Sequence, residues 1–418
     1  MMSTKQMRLV SILLAAALLL PMAFAAAQDE MGQPLVGSWE ACAAPTSLPE
    51  TVTIGAVFGI SGPISVYGGP QQQAVQLAVD EINTSSYLGD GTTLEVLFED
   101  SASDTTGQQA INAMTKLVEE DMVVGVIGPT LSSEAFAADP VAQDNSTVVL
   151  GVSNTATGIT DMGDYVFRDS LPEGAVIPGT IAQAAETLGL TSVGLMYGND
   201  DDFTISGYEV FEAALADNGI QITGTETFAK GDLDFNAQLT NLIGTEPDAI
   251  VVSALAAEAV QIITQSRQLG YDGPIIGGNG FNSPAVLSQT GEDSEGLIVG
   301  GAWNLGNPNP SESSVAFAEL FETTTGNLPD QFAAQAYTGA WLLATAIRCA
   351  DSVDRTAVRD ALAGITEFDS PLGVFSFDEN RNPVHDPIAQ IVQGGRFVPL
   401  AVAMGDEAVE PAETEAAI

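Results

Sequence analysis

The chain has 418 residues, with 11 Lys and Arg against 55 Asp and Glu, a formal charge of −44 at pH 7. A surface so acidic repels phosphate backbones and anionic lipid, which argues against nucleic-acid and membrane-surface partners. Two cysteines, Cys42 and Cys349, and a single histidine, His385, exclude the usual zinc sites. The charge bias fits a salty exterior, where ions screen the repulsion, and equally an acidic one, where protonation relieves it.

The N-terminus reads as an address. Lys5 and Arg8 precede an apolar run from Leu9 to Leu20, and Ala23, Ala25 and Ala27 are small residues suited to cleavage before Gln28. The run falls short of the roughly 20 apolar residues that span a bilayer, so a signal peptide at 1–27 is expected rather than an uncleaved anchor. No cysteine stands at the cleavage site to carry a lipid. The mature chain is therefore expected to be soluble in a periplasm, with an N-terminal extension at 28–50 and enough residues for two domains. In that oxidising compartment Cys42 and Cys349 either pair, tying the extension to a helix expected over Gln331–Ala350, or remain separate thiols.

From Thr51 to Asn83 an apolar run leads into a Gly- and Ser-rich turn carrying Tyr67, then into a helix expected to open near Pro70. Further apolar runs at Leu94–Phe98, Val123–Ile127, Val148–Gly151, Val193–Tyr197, Gln221–Thr225, Ala249–Ser253 and Pro274–Ile276 read as strands. Between them, Thr106–Glu119, Ala175–Leu188, Tyr208–Asp217, Asn236–Ile243 and Glu258–Leu269 show the three- and four-residue spacing of helices. This alternation predicts a doubly wound α/β architecture in two lobes. The break falls near Arg168–Pro172. A long helical stretch follows over Ser311–Gly364, and the acidic tail at 401–418, DEAVEPAETEAAI from Asp406, is expected to be disordered.

Four segments follow strand ends and are expected to meet where open α/β sheets place ligands: SGPISVYGG at 61–69, GPTLSSE at 128–134, GVSNTAT at 151–157 and GGNGFNS at 277–283. Ser132 and Ser133 lead into a helix whose first N–H groups and dipole suit a carboxylate. The same serines also suit a helix cap, with Glu134 in the first turn. Other motifs are weaker. GISGPISVYGG lacks the dinucleotide spacing, and no phosphate loop occurs. DENRNP at 378–383 begins like a calcium loop, but Pro383 and Ala389 stand where glycine and glutamate are needed, so a turn is expected. His385 follows it, is expected to be exposed, and has no triad around it. No cofactor or metal is expected, and an enzyme is the least favoured class.

The segments IGAVFGISGPISVYGG, AVQLAVDEIN, VVGVIGPTLSSEAFA, VVLGVSNTA, YVFRDSLPEG, DAIVVSALAAEAVQIITQSRQLGY, IIGGNGFNSP and QAYTGAWLLATAI, in this order, resemble the periplasmic binding proteins of branched-chain amino-acid ABC transporters, the leucine/isoleucine/valine-binding type. The resemblance implies a type I periplasmic binding fold: two Rossmann-like lobes joined by a three-strand hinge. Lobe one takes 51–170 plus 301–372, and lobe two 171–300 plus 373–400. Such lobes close on a ligand by shifting an open and closed equilibrium. It further implies a receptor, acting as a monomer, that delivers an amino acid to an ABC permease; a soluble sensor of the same fold is the alternative. Ser132 would bind the ligand carboxylate, Ser153 and Thr155 its carboxylate and amino groups, and Tyr67 its side chain.

The second lobe departs from that pattern. Phe203 and Leu255 stand where the family commonly has tyrosines, and Asn279 where relatives place a carboxylate for the ligand's ammonium. An amide cannot neutralise a buried cation. Either another acid substitutes, with Glu258 and Asp202 as candidates, or the ligand is an amide or urea rather than a simple amino acid. Trp303 is expected either to cover the pocket or to lie in the core.

Overall fold

The computed structural model describes residues 42–102, 106–307 and 309–400; the expected signal peptide, the extension before Cys42 and the acidic tail lie outside the described residues. Strands β1 (Thr51–Phe58), β2 (Thr93–Asp100), β3 (Gly125–Ile127), β4 (Val148–Gly151) and β5 (Val166–Arg168) form one parallel sheet in the order β2-β1-β3-β4-β5. Every residue of β3, β4 and β5 is buried, as a parallel sheet covered on both faces requires. Helices α1 (Ser65–Thr84), α2 (Gln108–Thr115) and α3 (Ser132–Asp144) connect these strands.

Helix α1 begins five residues before Pro70, not at it. The Ile64 carbonyl already accepts from the Tyr67 and Gly68 N–H groups at 2.9 and 3.1 Å, so the first turn is formed upstream of the proline. Gly68 permits this, because a Cβ there would lie 2.2 Å from the Gly59 carbonyl oxygen.

After β5 the chain enters a second sheet. Helices α4 (Glu173–Leu188), α5 (Asp202–Asp217), α6 (Asn236–Ile243), α7 (Ala256–Gln268) and α8 (Pro284–Thr290) alternate with β6 (Ser192–Gly198), β7 (Gln221–Phe228), β8 (Ala249–Ser253), β9 (Ile275–Gly277) and β10 (Ile298–Gly301). The sheet order is β15-β14-β10-β9-β8-β6-β7, with β14 (Ile388–Gln393) and β15 (Arg396–Pro399) added antiparallel at one edge.

Between β10 and β14 the chain returns to the first sheet. The expected single stretch over Ser311–Gly364 is three helices, α9 (Glu312–Thr325), α10 (Gln331–Ala350) and α11 (Arg355–Ala363). Gly326 and Asp351 end the first two in the left-handed conformation, while the Asp330 and Asp354 side chains cap the next two. Helix α10 is buried on all sides from Gln331 to Ile347, so it reads as a core helix rather than an amphipathic one. Strands β11 (Phe368–Ser370), β12 (Gly373–Phe377) and β13 (Pro383–Val384) then form a small antiparallel sheet. Residues 373–384 were expected in the second lobe, and the structure corrects that. Phe375 and Phe377 pack into the core shared by β1, β4, α1 and α10, so the last crossing lies between β13 and β14. DENRNP is the turn between β12 and β13, where Asp378 accepts from the Asn380 and Asn382 N–H groups.

Cys42 is disulfide-bonded to Cys349 at the end of α10, closing a separation of 307 residues. Polar contacts reinforce the tie. Arg348 donates to the Cys42 and Tyr87 carbonyls at 3.2 and 2.6 Å, and Asp351 accepts from the Thr46 and Ser47 N–H groups at 2.8 and 2.7 Å. Cross-linking so long a loop restricts the unfolded chain. Reduction of the full chain should therefore lower its unfolding free energy by about 2–4 kcal/mol, read as a shifted denaturant midpoint; an unshifted midpoint would mean the polar contacts alone secure the extension.

Candidate ligand-binding site

Loops and helix ends from the carboxyl sides of both sheets line a small, partly open pocket with a free volume of about 20 Å3, room for little more than one water molecule in this form. Six of the expected site residues line it: Tyr67, Ser132, Ser153, Phe203, Leu255 and Asn279. Thr130, Leu131, Gly280 and Phe332 line it as well. Ser133 and Thr155 do not.

The first wall is polar. Ser132 is the first residue of α3, so its N–H and that of Ser133 have no carbonyl four residues back inside the helix. Neither serine is the cap residue; Leu131 holds that position, and its own N–H is taken by Glu134 Oε2 at 3.0 Å. The helix therefore presents its positive end, with the Ser132 hydroxyl, to the pocket. That hydroxyl accepts from the Ala156 N–H at 3.3 Å.

Behind it runs a buried relay. Gln71 Nε2 donates to Ser153 Oγ at 2.8 Å, Thr130 Oγ1 donates to Gln71 Oε1 at 2.8 Å, and Ser153 Oγ donates to the Thr130 carbonyl at 2.6 Å. The Ser153 hydroxyl is thus fixed in place. Gln71 is fully buried, and sequence reasoning missed it because a glutamine in an amphipathic helix reads as a surface residue.

Ser133 and Thr155 are turned elsewhere. Ser133 Oγ donates across the cleft to Asp201 Oδ2 at 3.3 Å, and Thr155 Oγ1 donates to Glu173 Oε1 at 2.8 Å. Burial pushes Glu173 up to about 7, opposed by that hydroxyl and by Arg168. Both serve the junction between lobes.

The second wall is apolar, made by Phe203 on α5 and Leu255 just before α7. Asn279 Oδ1 accepts from Gln331 Nε2, so its carbonyl is engaged by the start of α10. Tyr67 spans the two walls. Its hydroxyl donates to the Gly280 carbonyl and accepts from the Ala256 N–H, each at 2.7 Å, and burial keeps the phenol protonated. Gly280 fits under Ala254 only without a side chain, since a Cβ would lie 2.2 Å from that carbonyl oxygen. Phe332 packs against Tyr67 at a tilt of 49°, with ring centroids 4.6 Å apart. Only its place one residue inside a helix, after the Asp330 cap, could have marked it.

The remaining candidates are settled by position. Trp303 lies in the core, its Nε1 donating to Ser314 Oγ at 2.8 Å. Asp202 is exposed. His385 is half-buried rather than exposed, and burial pushes its pKa down to about 4. Glu258 does not line the pocket; it lies behind Leu255 beside Asp201 and Lys230, packed too closely to leave room for a water molecule. The described residues contain no His, Cys, Asp and Glu group arranged to hold a metal ion.

Two α/β lobes that meet over a partly apolar pocket are the architecture of a solute-binding protein. Residues 51–396 match the periplasmic binding protein family, and the chain belongs to it. It is 25% identical over 334 residues, 79% of this chain and 86% of the relative, to the leucine-, isoleucine-, valine-, threonine-, and alanine-binding protein of Pseudomonas aeruginosa. Its fold is similar to that of the branched-chain amino acid transporter substrate binding protein LivJ of Streptococcus pneumoniae in complex with isoleucine, with a TM-score of 0.78 and 31% identity over 83% of this chain and 97% of that one. The solute binding protein of an ABC transporter from Rhodopseudomonas palustris, in complex with benzoate, shares the fold at 21% identity and a TM-score of 0.75, covering 84% of this chain and 95% of that one.

The Tyr67 bridge and the buried acids yield two expectations. Tyr67→Phe leaves the Gly280 carbonyl and Ala256 N–H without their shared partner, a cost of about 1–3 kcal/mol, and should shift small-angle scattering toward a more open form; an unchanged profile refutes the bridge. Burial also pushes Asp330 up to about 7, above its unfolded value of about 3.9. The folded state then holds a proton that the unfolded state releases, so the contribution of Asp330 to stability is fullest below pH 4 and is lost as pH rises toward 7. Asp330→Asn, which keeps an acceptor for the Ala333 N–H, should flatten that slope in denaturant titrations at pH 5, 6 and 7.

Proposed function

We propose that this chain is an extracytoplasmic receptor that captures a small carboxylate-bearing solute, most simply a branched-chain-like amino acid, and delivers it in a closed form to an ABC permease. The observation that carries this reading is the first turn of α3. Its start, at Ser132 and its hydroxyl, faces a pocket whose other walls are Tyr67, Phe203, Leu255 and Phe332. A carboxylate placed there gains the helix dipole, while an aliphatic chain is removed from water against the rings. The relatives named for leucine, isoleucine and valine support the same class.

Asn279 favours a second reading. Its amide, held by Gln331, would complement an amide or urea better than it would an ammonium.

A thermal-shift panel of amino acids, their amides, urea and short carboxylates decides between them. A bound solute at 100 times its Kd adds about 2.7 kcal/mol of stability. Ser132→Ala should weaken binding of the stabilising solute about tenfold, the order of a hydrogen bond to a charged group. Unchanged affinity in Ser132→Ala would remove the carboxylate from the helix end.

A further inference from the structure

The polar side chains of the pocket differ in what they have left to offer. Tyr67, Thr130, Ser132, Ser153 and Asn279 line it, and none of the lining residues is charged. Tyr67 and Ser153 each donate their proton to a backbone carbonyl and receive another bond at their oxygen. Thr130 is spent in the same way, between the Gly59 N–H and Gln71 Oε1. Ser132 Oγ receives the Ala156 N–H, which leaves its own proton.

The state of Asn279 is decided behind the pocket, where four buried amides run head to tail beside the crossing that follows β10. Asn304 Nδ2 donates to Gln390 Oε1, Gln390 Nε2 to Asn282 Oδ1 at 2.6 Å, Asn282 Nδ2 to Gln331 Oε1 at 2.6 Å, and Gln331 Nε2 to Asn279 Oδ1. None of the four is more than 5% exposed. The oxygen and nitrogen of an amide are told apart by their partners, and here two backbone groups decide. The Ala302 N–H, which can only donate, lies 3.0 Å from Gln331 Oε1, and the Gly306 N–H donates to Asn304 Oδ1. Gln331 must therefore turn its nitrogen to Asn279, and Asn279 must answer with its oxygen. Gly301 makes room for the row, since a Cβ there would lie 2.3 Å from Asn282 Nδ2 and 2.9 Å from Gln331 Oε1. Asn279 Nδ2 is left over, with no hydrogen-bond partner among the described residues.

Each side-chain oxygen of the pocket thus already accepts a bond, and the two groups that remain, the Ser132 hydroxyl and the Asn279 NH2, are donors. An ammonium brings three donors and no acceptor, so it finds no open counterpart here. A second carboxylate would bring a charge that no lining cation meets. We propose that, when the lobes part, the pocket admits a monocarboxylic acid whose second polar group is a neutral carbonyl oxygen, a 2-oxo acid with an apolar chain. Asn279 Nδ2 donates to that carbonyl, the carboxylate takes the Ser132 end of α3, and Phe203, Leu255 and Phe332 receive the chain. The inference rests on the carboxylate reading above and narrows its solute.

Isothermal titration calorimetry on the full chain tests this with three probes that share one carbon skeleton: 4-methyl-2-oxopentanoate, L-leucine and 4-methylpentanoate. The oxo acid should bind about tenfold more tightly than either of the others, the order of one net hydrogen bond. Asn279→Asp keeps an acceptor for Gln331 Nε2 and puts a carboxylate oxygen in place of the NH2, so leucine should overtake the oxo acid. Should that variant not fold, Asn279→Ala, which only truncates a half-buried side chain, should bring the oxo acid level with 4-methylpentanoate. Leucine binding to the native chain as tightly as the oxo acid, or an order of affinities that the variant leaves unchanged, overturns the proposal and leaves the carboxylate reading standing. A native chain that binds none of the three overturns both.

Discussion

The Tyr67 hydroxyl is the interaction on which the closed arrangement depends. It is donor to one second-lobe turn and acceptor from another, and both partners are backbone groups that are buried in this form. Neither group has water to fall back on while the lobes are together, so the phenol satisfies two desolvated positions at once. The geometry around it follows. Gly280 must lack a side chain to bring its carbonyl within reach, and Gly68 must lack one for α1 to sit close enough to β1 to aim the ring. Phe332 then closes the ring's free face.

This arrangement divides labour between the lobes. The first lobe holds its polar groups rigidly: Gln71, Thr130 and Ser153 fix one another, and the head of α3 is fixed by Leu131 and Glu134. Preorganised donors of this kind need not be ordered when a solute arrives. The second lobe offers rings and an aliphatic side chain on helix ends, surfaces that gain only when closure removes water from them. Lobe one thus carries the fixed polar wall and lobe two the apolar one. Ser133 with Asp201, and Thr157 with Ser206, add weaker hydroxyl contacts along the same seam.

Much of the fold was legible because strands buried on both faces read as unbroken apolar runs; Val148–Gly151 and Ala249–Ser253 match their strands residue for residue. The placement of β12 and β13 was not legible. Phe375 and Phe377 announce an alternating strand, but nothing in that pattern says which lobe receives it. The site divides in the same way. Strand-end loops disclosed which chemical groups were present, so Tyr67, Ser132 and Asn279 fell at the pocket. They did not disclose direction. Ser133 and Thr155 differ from their pocket-facing neighbours only by the rotation of a helix or a turn, and Gln71 and Phe332 acquire their places from packing across long sequence separations.

The charge of the chain takes a different meaning once its acids are located. The formal value of −44 counts every carboxyl as ionised, yet Asp139 and Asp169 are buried with both oxygens unpartnered, and burial raises each well above the ordinary carboxylate range. An isolated ionised carboxylate in such surroundings is so unfavourable that the group holds its proton instead. The folded chain is consequently less negative than its composition, and folding near neutrality takes up protons that the unfolded chain has released.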